Sequence, residues 1–164
     1  MTDFRIVEYR PGQEGEIIEL ISSIQREEFN INITPEQQPD LKAIPSFYRT
    51  GAGNFWVALA GDHVIGTVAL KDIGDSTAAL RKMFVAPAWR GKDTGVAASL
   101  LDTVLAWARE KGFRVIYLGT TAQFLAAHRF YEKNGFEAVA RESLPDAFPV
   151  MGVDSRFYRF AVCR

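Results

Sequence analysis

Alternating apolar and polar residues predict the strands in the first half of the chain. The alternation over residues 4–9 predicts a strand with one buried face. Residues 54–60, 63–71 and 77–85 are further predicted strands, and a Gly-Asp hairpin signal joins the first two of these. Because short turns connect the three strands, we expect them to form an antiparallel meander.

Apolar residues recur at helical spacing in two long segments. One covers residues 14–28, with acidic residues in its first turn. The other covers residues 94–111 and is stopped by Gly112. Shorter helices are predicted over residues 40–49, despite a proline inside, and over residues 123–133.

The pattern that follows the longest helix decides the fold class. Residues 114–118 are apolar and β-branched, which is typical of a buried strand. Together with the strand at 77–85 and the intervening helix, they favour a parallel strand pair with a right-handed crossover. Strands are also predicted over 136–140 and 156–162. The sequence therefore predicts a single mixed α/β domain over residues 1–164.

Composition narrows the classes of partner. The chain has 19 basic and 20 acidic residues, which argues against nucleic-acid binding by a basic face. Its two histidines and single cysteine, Cys163, argue against a zinc site and exclude an internal disulfide. No apolar run approaches the length of about 18 residues that spans a membrane. We therefore expect a cytoplasmic protein with no metal, no nucleic-acid partner and no membrane association.

A basic turn between strand and helix is the strongest candidate for a binding site. The strand at 77–85 is stopped by Pro87, and the long helix follows the turn. Gly91 and Gly95 allow close backbone approach, Arg90 and Lys92 add positive charge, and the helix start directs N–H groups outward. Such a turn attracts a phosphate. The alternative is a turn without a ligand, in which the basic side chains are solvated and glycine serves only the bend. The spacing is neither that of a Walker loop nor that of a dinucleotide-binding fingerprint.

Two motifs resemble those of one enzyme family. Residues 80–95 read LRKMFVAPAWRGKDTG, in which Arg90 and Gly95 match the family's phosphate-binding pattern, and residues 127–136 read AHRFYEKNGF. Together they resemble the acetyl-CoA-binding motifs of the GNAT family of N-acetyltransferases. The resemblance implies the GNAT fold, a central mixed and mostly antiparallel sheet of about seven strands with a splayed parallel pair, flanked by about four helices.

The resemblance also implies acetyl-CoA as cosubstrate. Its pantetheine would pair with the main chains of Met83, Phe84 and Val85, and its phosphates would lie on the turn. That turn is formed by Arg90, Gly91, Lys92, Asp93, Thr94, Gly95 and Val96. Asp93 replaces a family glycine, and two orientations of its side chain are open. Facing away from the anion it preserves the backbone shape, whereas facing inward it weakens CoA binding by repulsion. Phe124 stands where many relatives have an asparagine that contacts the pantetheine.

Tyr131 matches the usual general acid of the family, which would protonate the departing thiolate. The base stays open, because Ala79 stands where many relatives carry a glutamate. Glu27 and Glu28 belong to the region that shapes the acceptor side, but paired glutamates at a helix end are typically solvated. His128 is expected to pack or to face solvent.

Two further residue sets bear on the acceptor. Arg81 and Lys82 are expected to alternate across their strand, so that at most one of them faces the acceptor or cosubstrate. Their charge does not favour a cationic polyamine. An apolar acceptor pocket has five aromatic candidates, although most aromatic residues of such a domain are core: Phe47, Tyr48, Phe55, Trp56 and Phe148.

The resemblance favours one function and leaves others open. It implies direct acetyl transfer, through a tetrahedral intermediate, to the primary amine of a small molecule such as an amino acid or amino metabolite. Acetylation of a protein or peptide, a non-catalytic CoA sensor and an unrelated phosphate-binding scaffold are the alternatives. Relatives often dimerise, so a homodimer that uses residues 157–160 is also open.

Overall fold

A computed structural model of the chain describes residues 3–28, 30–31, 36, 38–91, 94–121, 125–150 and 154–162. Seven strands and four α-helices are found within these residues. The strands are β1 (Arg5–Glu8), β2 (Asn54–Ala60), β3 (His63–Gly74), β4 (Thr77–Val85), β5 (Val115–Thr120), β6 (Glu137–Val139) and β7 (Arg156–Ala161). The helices are α1 (Glu14–Ser23), α2 (Ile44–Tyr48), α3 (Val96–Lys111) and α4 (Leu125–Lys133).

The strands form one sheet in the order β1-β2-β3-β4-β5-β7-β6. Every neighbouring pair is antiparallel except β4 and β5, which are parallel and joined through α3. The mixed sheet, the meander and the strand–helix–strand unit are thereby confirmed. The parallel ladder consists of three pairs, at Thr77, Ala78 and Ala79 of β4, and the two strands diverge beyond it.

Each face of the sheet has its own core. On one face, α3 packs with apolar residues at helical spacing, including Leu100, Leu101 and Val104. On the other face, the core combines Ile17 and Ile21 of α1 with buried residues of α2 and of the meander. This division matters for the site, because alternate residues of β4 face different cores.

Three predicted elements differ from those observed by more than two residues. The helix predicted over 14–28 continues beyond Ser23 as the π-helical turn Ile24–Glu28. The helix predicted over 40–49 is divided into a 3₁₀ turn, Pro39–Lys42, and α2, whose first turn contains Pro45, because proline is tolerated only at a helix start. Strand β3, predicted over 63–71, extends to Gly74, so the turn to β4 is confined to residues 75 and 76, both with positive φ.

In the described part of the chain, no helix is both long and apolar enough to cross a membrane.

Candidate active site

Two cavities open where β4 diverges from β5. The outer groove lies between β4, the turn before α3 and α4, and is lined by Met83, Phe84, Val85, Arg90, Gly91, Ala97, Phe130 and Tyr131 among others. The inner cavity lies between the diverging strands and is lined by Gln25, Arg81, Lys82, Thr120, Thr121, Phe148 and Asp154 among others. Met83, Phe84, Ala127 and Tyr131 line both, so the two spaces are neighbours.

A β-bulge in β4 shapes the boundary between these spaces. Thr67 of β3 pairs with Phe84 and Ala69 pairs with Arg81, so β4 has one residue more than its partner. The extra residue is accommodated at Lys82, which has a φ of 54°. Its carbonyl accepts a hydrogen bond from Thr67 Oγ1 at 2.6 Å. Because Lys82 does not have the backbone conformation of a regular strand, the side chains of β4 do not alternate between the two faces of the sheet at this point.

The bulge overturns the expectation that at most one of Arg81 and Lys82 faces the site. Both side chains line the inner cavity. A regular strand would direct consecutive side chains to opposite faces, but the left-handed residue turns the second side chain to the face of the first. The sequence carried no residue type typical of a bulge, such as glycine, at this position.

Lys82 is buried in a polar network on the wall of the inner cavity. Its Nζ donates a hydrogen bond to Gln38 Oε1 at 2.6 Å and lies 3.6 Å from Asp40 Oδ2. Gln38 in turn donates to Gln25 Oε1 at 2.9 Å, and the Tyr48 hydroxyl donates to Asp40 Oδ2 at 2.5 Å. Burial lowers the pKa of Lys82 to about 8, against the opposing attraction of Asp40.

Arg81 has a different environment from Lys82. Its Nη1 donates to the carbonyl of Pro149 at 3.0 Å, and its guanidinium lies 5.5 Å from the ring centre of Phe47. Nε is buried, and no acceptor for it is found in the described part of the chain. The segment before β7 therefore closes over the cavity through Pro149, but leaves Arg81 partly unsatisfied.

The turn before α3 allows a ligand to approach its backbone closely. Gly91 and Gly95 have φ values of 105° and 71°, which favour glycine. No side chain of the described residues caps α3, so the N–H groups of its first turn are available to an anion. Thr94 Oγ1 lies 2.6 Å from the carbonyl of Trp89 and fixes the turn. Lys92 and Asp93, predicted to belong to this turn, lie outside the described residues, as does Phe124.

Hydrogen bonds to two residues fix the orientation of the Arg90 side chain. Its Nε donates to the Val85 carbonyl at 2.9 Å, and its Nη2 donates to Glu28 Oε2 at 2.9 Å. Nη1 also contacts Glu28, so the pair is bidentate. Glu28 was expected to be solvated and instead joins the π-helical turn to the turn before α3. Glu27 accepts a hydrogen bond from Ser23 at 2.6 Å.

Tyr131 lies where the two cavities meet. Its side chain is 6% exposed and packs 5.5 Å, between ring centres, from Phe136. Burial raises the pKa of the Tyr131 phenol above its usual value, so the group is protonated at neutral pH. A buried, protonated phenol between two cavities is able to donate a proton to a group bound in either of them.

The other candidates have structural surroundings. His128 is buried, and its Nε2 donates to the Thr121 carbonyl at 2.9 Å, so the side chain packs, as expected. Of the five aromatic candidates, Phe148 lines the inner cavity, while Tyr48 and Phe55 are fully buried in the core. The described residues contain no cluster of three or more side chains fit to hold a metal.

Sequence reasoning missed three residues of the polar network, namely Gln25, Gln38 and Asp40. Gln25 carried a signal, because it follows Ile21 by four residues and therefore lies on the apolar face of the predicted helix. A polar side chain on that face requires a buried partner. Gln38 and Asp40 lie in a proline-containing segment that gives no comparable signal.

Known proteins resemble the chain both in structure and in sequence. Its fold matches the crystal structure of an acetyltransferase of the GNAT family from Staphylococcus aureus Mu50, with a TM-score of 0.94 and 38% identity, over 98% of this chain and 100% of the other. It is 38% identical over 102 residues to N-acetylaspartate synthetase of Danio rerio, which covers 61% of this chain and 36% of that protein. The match thus spans about a third of the length of this relative.

A more distant structure shares the fold alone. The PaiA N-acetyltransferase of Thermoplasma acidophilum, solved in complex with coenzyme A, has a TM-score of 0.74 at 18% identity, over 97% of this chain and 99% of the other. The family model described as "Acetyltransferase (GNAT) family" matches residues 18–136. That match covers the bulged strand, the turn before α3 and Tyr131, and the chain therefore belongs to the acetyltransferase (GNAT) family.

Proposed function

We propose that the protein is an acetyl-CoA-dependent N-acetyltransferase that acts on the primary amine of a small molecule. The observation that carries the proposal is the meeting of an outer groove and an inner cavity at Tyr131, on the strand edge left by the divergence of β4 from β5. One space accommodates the thioester donor and the other the amine.

The outer groove has the features needed to bind coenzyme A. Its β4 wall consists of Met83, Phe84 and Val85, which lie beyond the last pair of the ladder to β5. An extended pantetheine arm is able to add to such an edge through its amides. The N–H groups at the start of α3, together with Gly91 and Gly95, suit the diphosphate. The apolar walls from Ala97 and Phe130 suit the arm's methylenes.

The chemistry requires a bond to form between the amine nitrogen and the thioester carbonyl carbon. The nitrogen of the tetrahedral intermediate then loses a second proton, and the intermediate collapses with cleavage of the carbon–sulfur bond. That second proton passes through solvent and restores the general acid. We assign to Tyr131 the proton that neutralises the departing thiolate, because Tyr131 lines both cavities and its phenol is protonated at neutral pH. The ammonium must first lose a proton. Ala79 has no group that accepts it, and Glu28 is paired with Arg90, so we assign no side chain to this step.

A small acceptor is favoured over a protein. The inner cavity is covered by the segment before β7, through buried Phe148 and the contact between Arg81 and the Pro149 carbonyl. An extended peptide requires an open channel, whereas this cover leaves room for a compact molecule. The resemblance to N-acetylaspartate synthetase supports an amino acid as acceptor.

Two measurements on the purified chain test this proposal. Calorimetry with acetyl-CoA and CoA should detect binding, and thiol release from acetyl-CoA should respond to small primary amines more than to peptides. Binding without thiol release on any amine would favour a CoA sensor. Release with peptides alone would favour protein acetylation, and the absence of CoA binding would contradict the assignment of the groove.

A further inference from the structure

The inner cavity concentrates polar groups whose hydrogen-bonding capacity is unmet. Five buried side-chain atoms without a partner are found in the described part of the chain, and three of them belong to residues that line this cavity. They are Arg81 Nε, Thr120 Oγ1 and Thr121 Oγ1. Arg81 lies on the β4 side of the cavity, and the two threonines lie at the end of β5, on the opposite side. Buried polar groups are rarely left unsatisfied, so this clustering indicates a polar ligand.

The charges around the cavity define the sign of that ligand. Lys82 has its own counter-ion in Asp40, at 3.6 Å. Arg81 has no carboxylate within 4.0 Å in the described part of the chain, although its Nη1 is used by the Pro149 carbonyl. A partly buried guanidinium without a carboxylate partner is costly, and its flat fork suits a carboxylate better than any other small anion except phosphate.

The opposite wall carries the complementary charge. Asp154 lines the cavity, and its carboxylate lies against Gly119 of β5, where a Cβ atom would be 2.7 Å from Oδ2. The absence of a side chain at Gly119 thus admits Asp154 to this position. The charge of Asp154 also acts on Lys82, where it favours the charged amine and so raises the pKa against the effect of burial. A cavity lined by both signs of charge matches a ligand that carries both a carboxylate and an ammonium group.

We propose that the inner cavity binds an amino acid whose carboxylate is held by Arg81 and the Thr120 and Thr121 hydroxyls, and whose amine lies on the Asp154 side. The proposal rests on the N-acetyltransferase function, for which it names the acceptor class. Arg81 is then the residue that determines specificity, because it contacts the one group that separates an amino acid from a simple amine.

The experiment compares each amino acid with its own carboxamide, which keeps the shape and the amine but removes the negative charge. Thiol release from acetyl-CoA is measured for both, and binding to the CoA-saturated protein is measured by calorimetry. We expect the carboxylate form to be used at a KM lower by about tenfold or more than that of the carboxamide.

Substitutions at Arg81 assign this preference to one side chain. Arg81→Met should raise KM for the amino acid by about tenfold to a hundredfold and leave KM for the carboxamide and Kd for CoA unchanged. Arg81→Lys retains the charge without the fork and should have an intermediate effect. Arg109→Met, which removes an exposed arginine of α3, is the matched control. Thr120→Val, isosteric but without the hydroxyl, provides a second variant if Arg81→Met does not fold.

The outcomes separate this inference from the proposed function. Equal use of carboxylate and carboxamide, or an equal rise of both KM values in Arg81→Met, would overturn the carboxylate site while leaving the acetyltransferase intact. If none of the amines gives thiol release, the proposed function is contradicted. The binding arm then still decides the inference, which is supported by Arg81-dependent binding of the amino acid and overturned by its absence.

Discussion

The outer groove and the inner cavity differ in how the chain builds them. The described groove residues come mainly from two continuous stretches, 83–97 and 126–131, with Ile24 added from the π-helical turn. The cavity draws on residues from several distant parts of the chain, including Gln25, Arg81, Thr120 and Asp154. Under the proposed function, a local motif therefore binds the donor, whereas residues distant in the sequence form the acceptor space.

The two regions also manage positive charge differently. In the groove, Arg90 is paired with Glu28 at the protein surface. In the cavity, Lys82 is paired with Asp40 in the interior, and Arg81 has no such partner in the described part of the chain. Surface pairs contribute little and exchange readily, whereas buried pairs are sensitive to the loss of either member. The same type of interaction is therefore expected to be adaptable in one region and rigid in the other.

The largest effect is expected at Tyr131, which belongs to both regions. Tyr131→Phe keeps the ring packing against Phe136 and removes the proton donor. Loss of a general acid lowers turnover by roughly 100-fold or more, while acetyl-CoA affinity should stay near normal. Turnover is measured by thiol release and affinity by calorimetry. Tyr117→Phe, in β5 and outside both cavities, is the control. Unchanged turnover in Tyr131→Phe would remove the phenol from the mechanism.

The next effect concerns the buried lysine and depends on pH. The pKa of Lys82 is lowered to about 8 in the folded protein, from 10.5 in the unfolded chain. Between these values the unfolded chain binds more protons, so the contribution of Lys82 to stability rises with pH. The free energy of unfolding of the wild type should therefore increase relative to that of Lys82→Met by roughly 3 kcal/mol from below pH 8 to above pH 10.5.

Urea unfolding of both proteins across this pH range checks the expectation. Lys133→Met, which removes an exposed lysine of α4, controls for the loss of one positive charge. A constant difference between the wild type and Lys82→Met would show that burial does not perturb the lysine.

The sequence predicted the groove better than the cavity for a physical reason. The predicted β4 and the turn at Gly91 and Gly95 depend on local periodicity, proline and glycine, which are visible in the sequence. The joint orientation of Arg81 and Lys82 depends on a bulge at a lysine with positive φ, a conformation that local preference disfavours. Tertiary contacts such as the bond from Thr67 to the Lys82 carbonyl stabilise it, and pattern reasoning does not include them.

The fold shows the same division: elements defined by local patterns were predicted well, and elements defined by tertiary contacts were not. Strands β2 and β4 were predicted with their observed ends, because alternation and turn residues define both. The segment from Ile24 to Tyr48 was predicted less well. Its π-helical turn and its 3₁₀ turn pack around Gln25, Gln38 and Asp40, so their shape is set by a buried network rather than by their own periodicity.

A smaller effect is expected where β5 admits Asp154. In Gly119→Ala, the new Cβ would lie 2.7 Å from Asp154 Oδ2, 2.9 Å from Asp154 Cγ and 3.1 Å from Cε1 of the buried Phe157 ring, so both side chains must shift. Stability should fall by about 1–3 kcal/mol, the usual cost of an extra carbon in a packed interior, and KM for the amine should rise about fivefold as Asp154 shifts from the cavity wall. Denaturant unfolding and steady-state kinetics check the two parts. Gly15→Ala, with open space around its Cβ position, is the control. A large loss of stability without a change in KM would contradict the role of Asp154.

The smallest effect is expected at the ion pair of the outer groove. Glu28 holds both terminal nitrogens of Arg90, so a CoA phosphate must compete with a carboxylate for the same fork. Both side chains are about a third exposed, and such pairs contribute roughly 0–1 kcal/mol. Glu28→Gln should therefore tighten CoA binding by a factor of about two to five, most clearly at low salt. Calorimetry with CoA measures the change, and pantetheine, which lacks phosphates, should bind both proteins equally. Weaker CoA binding in Glu28→Gln would instead mean that Glu28 positions Arg90 for the phosphate, and the surface pair would then be as rigid as the buried one.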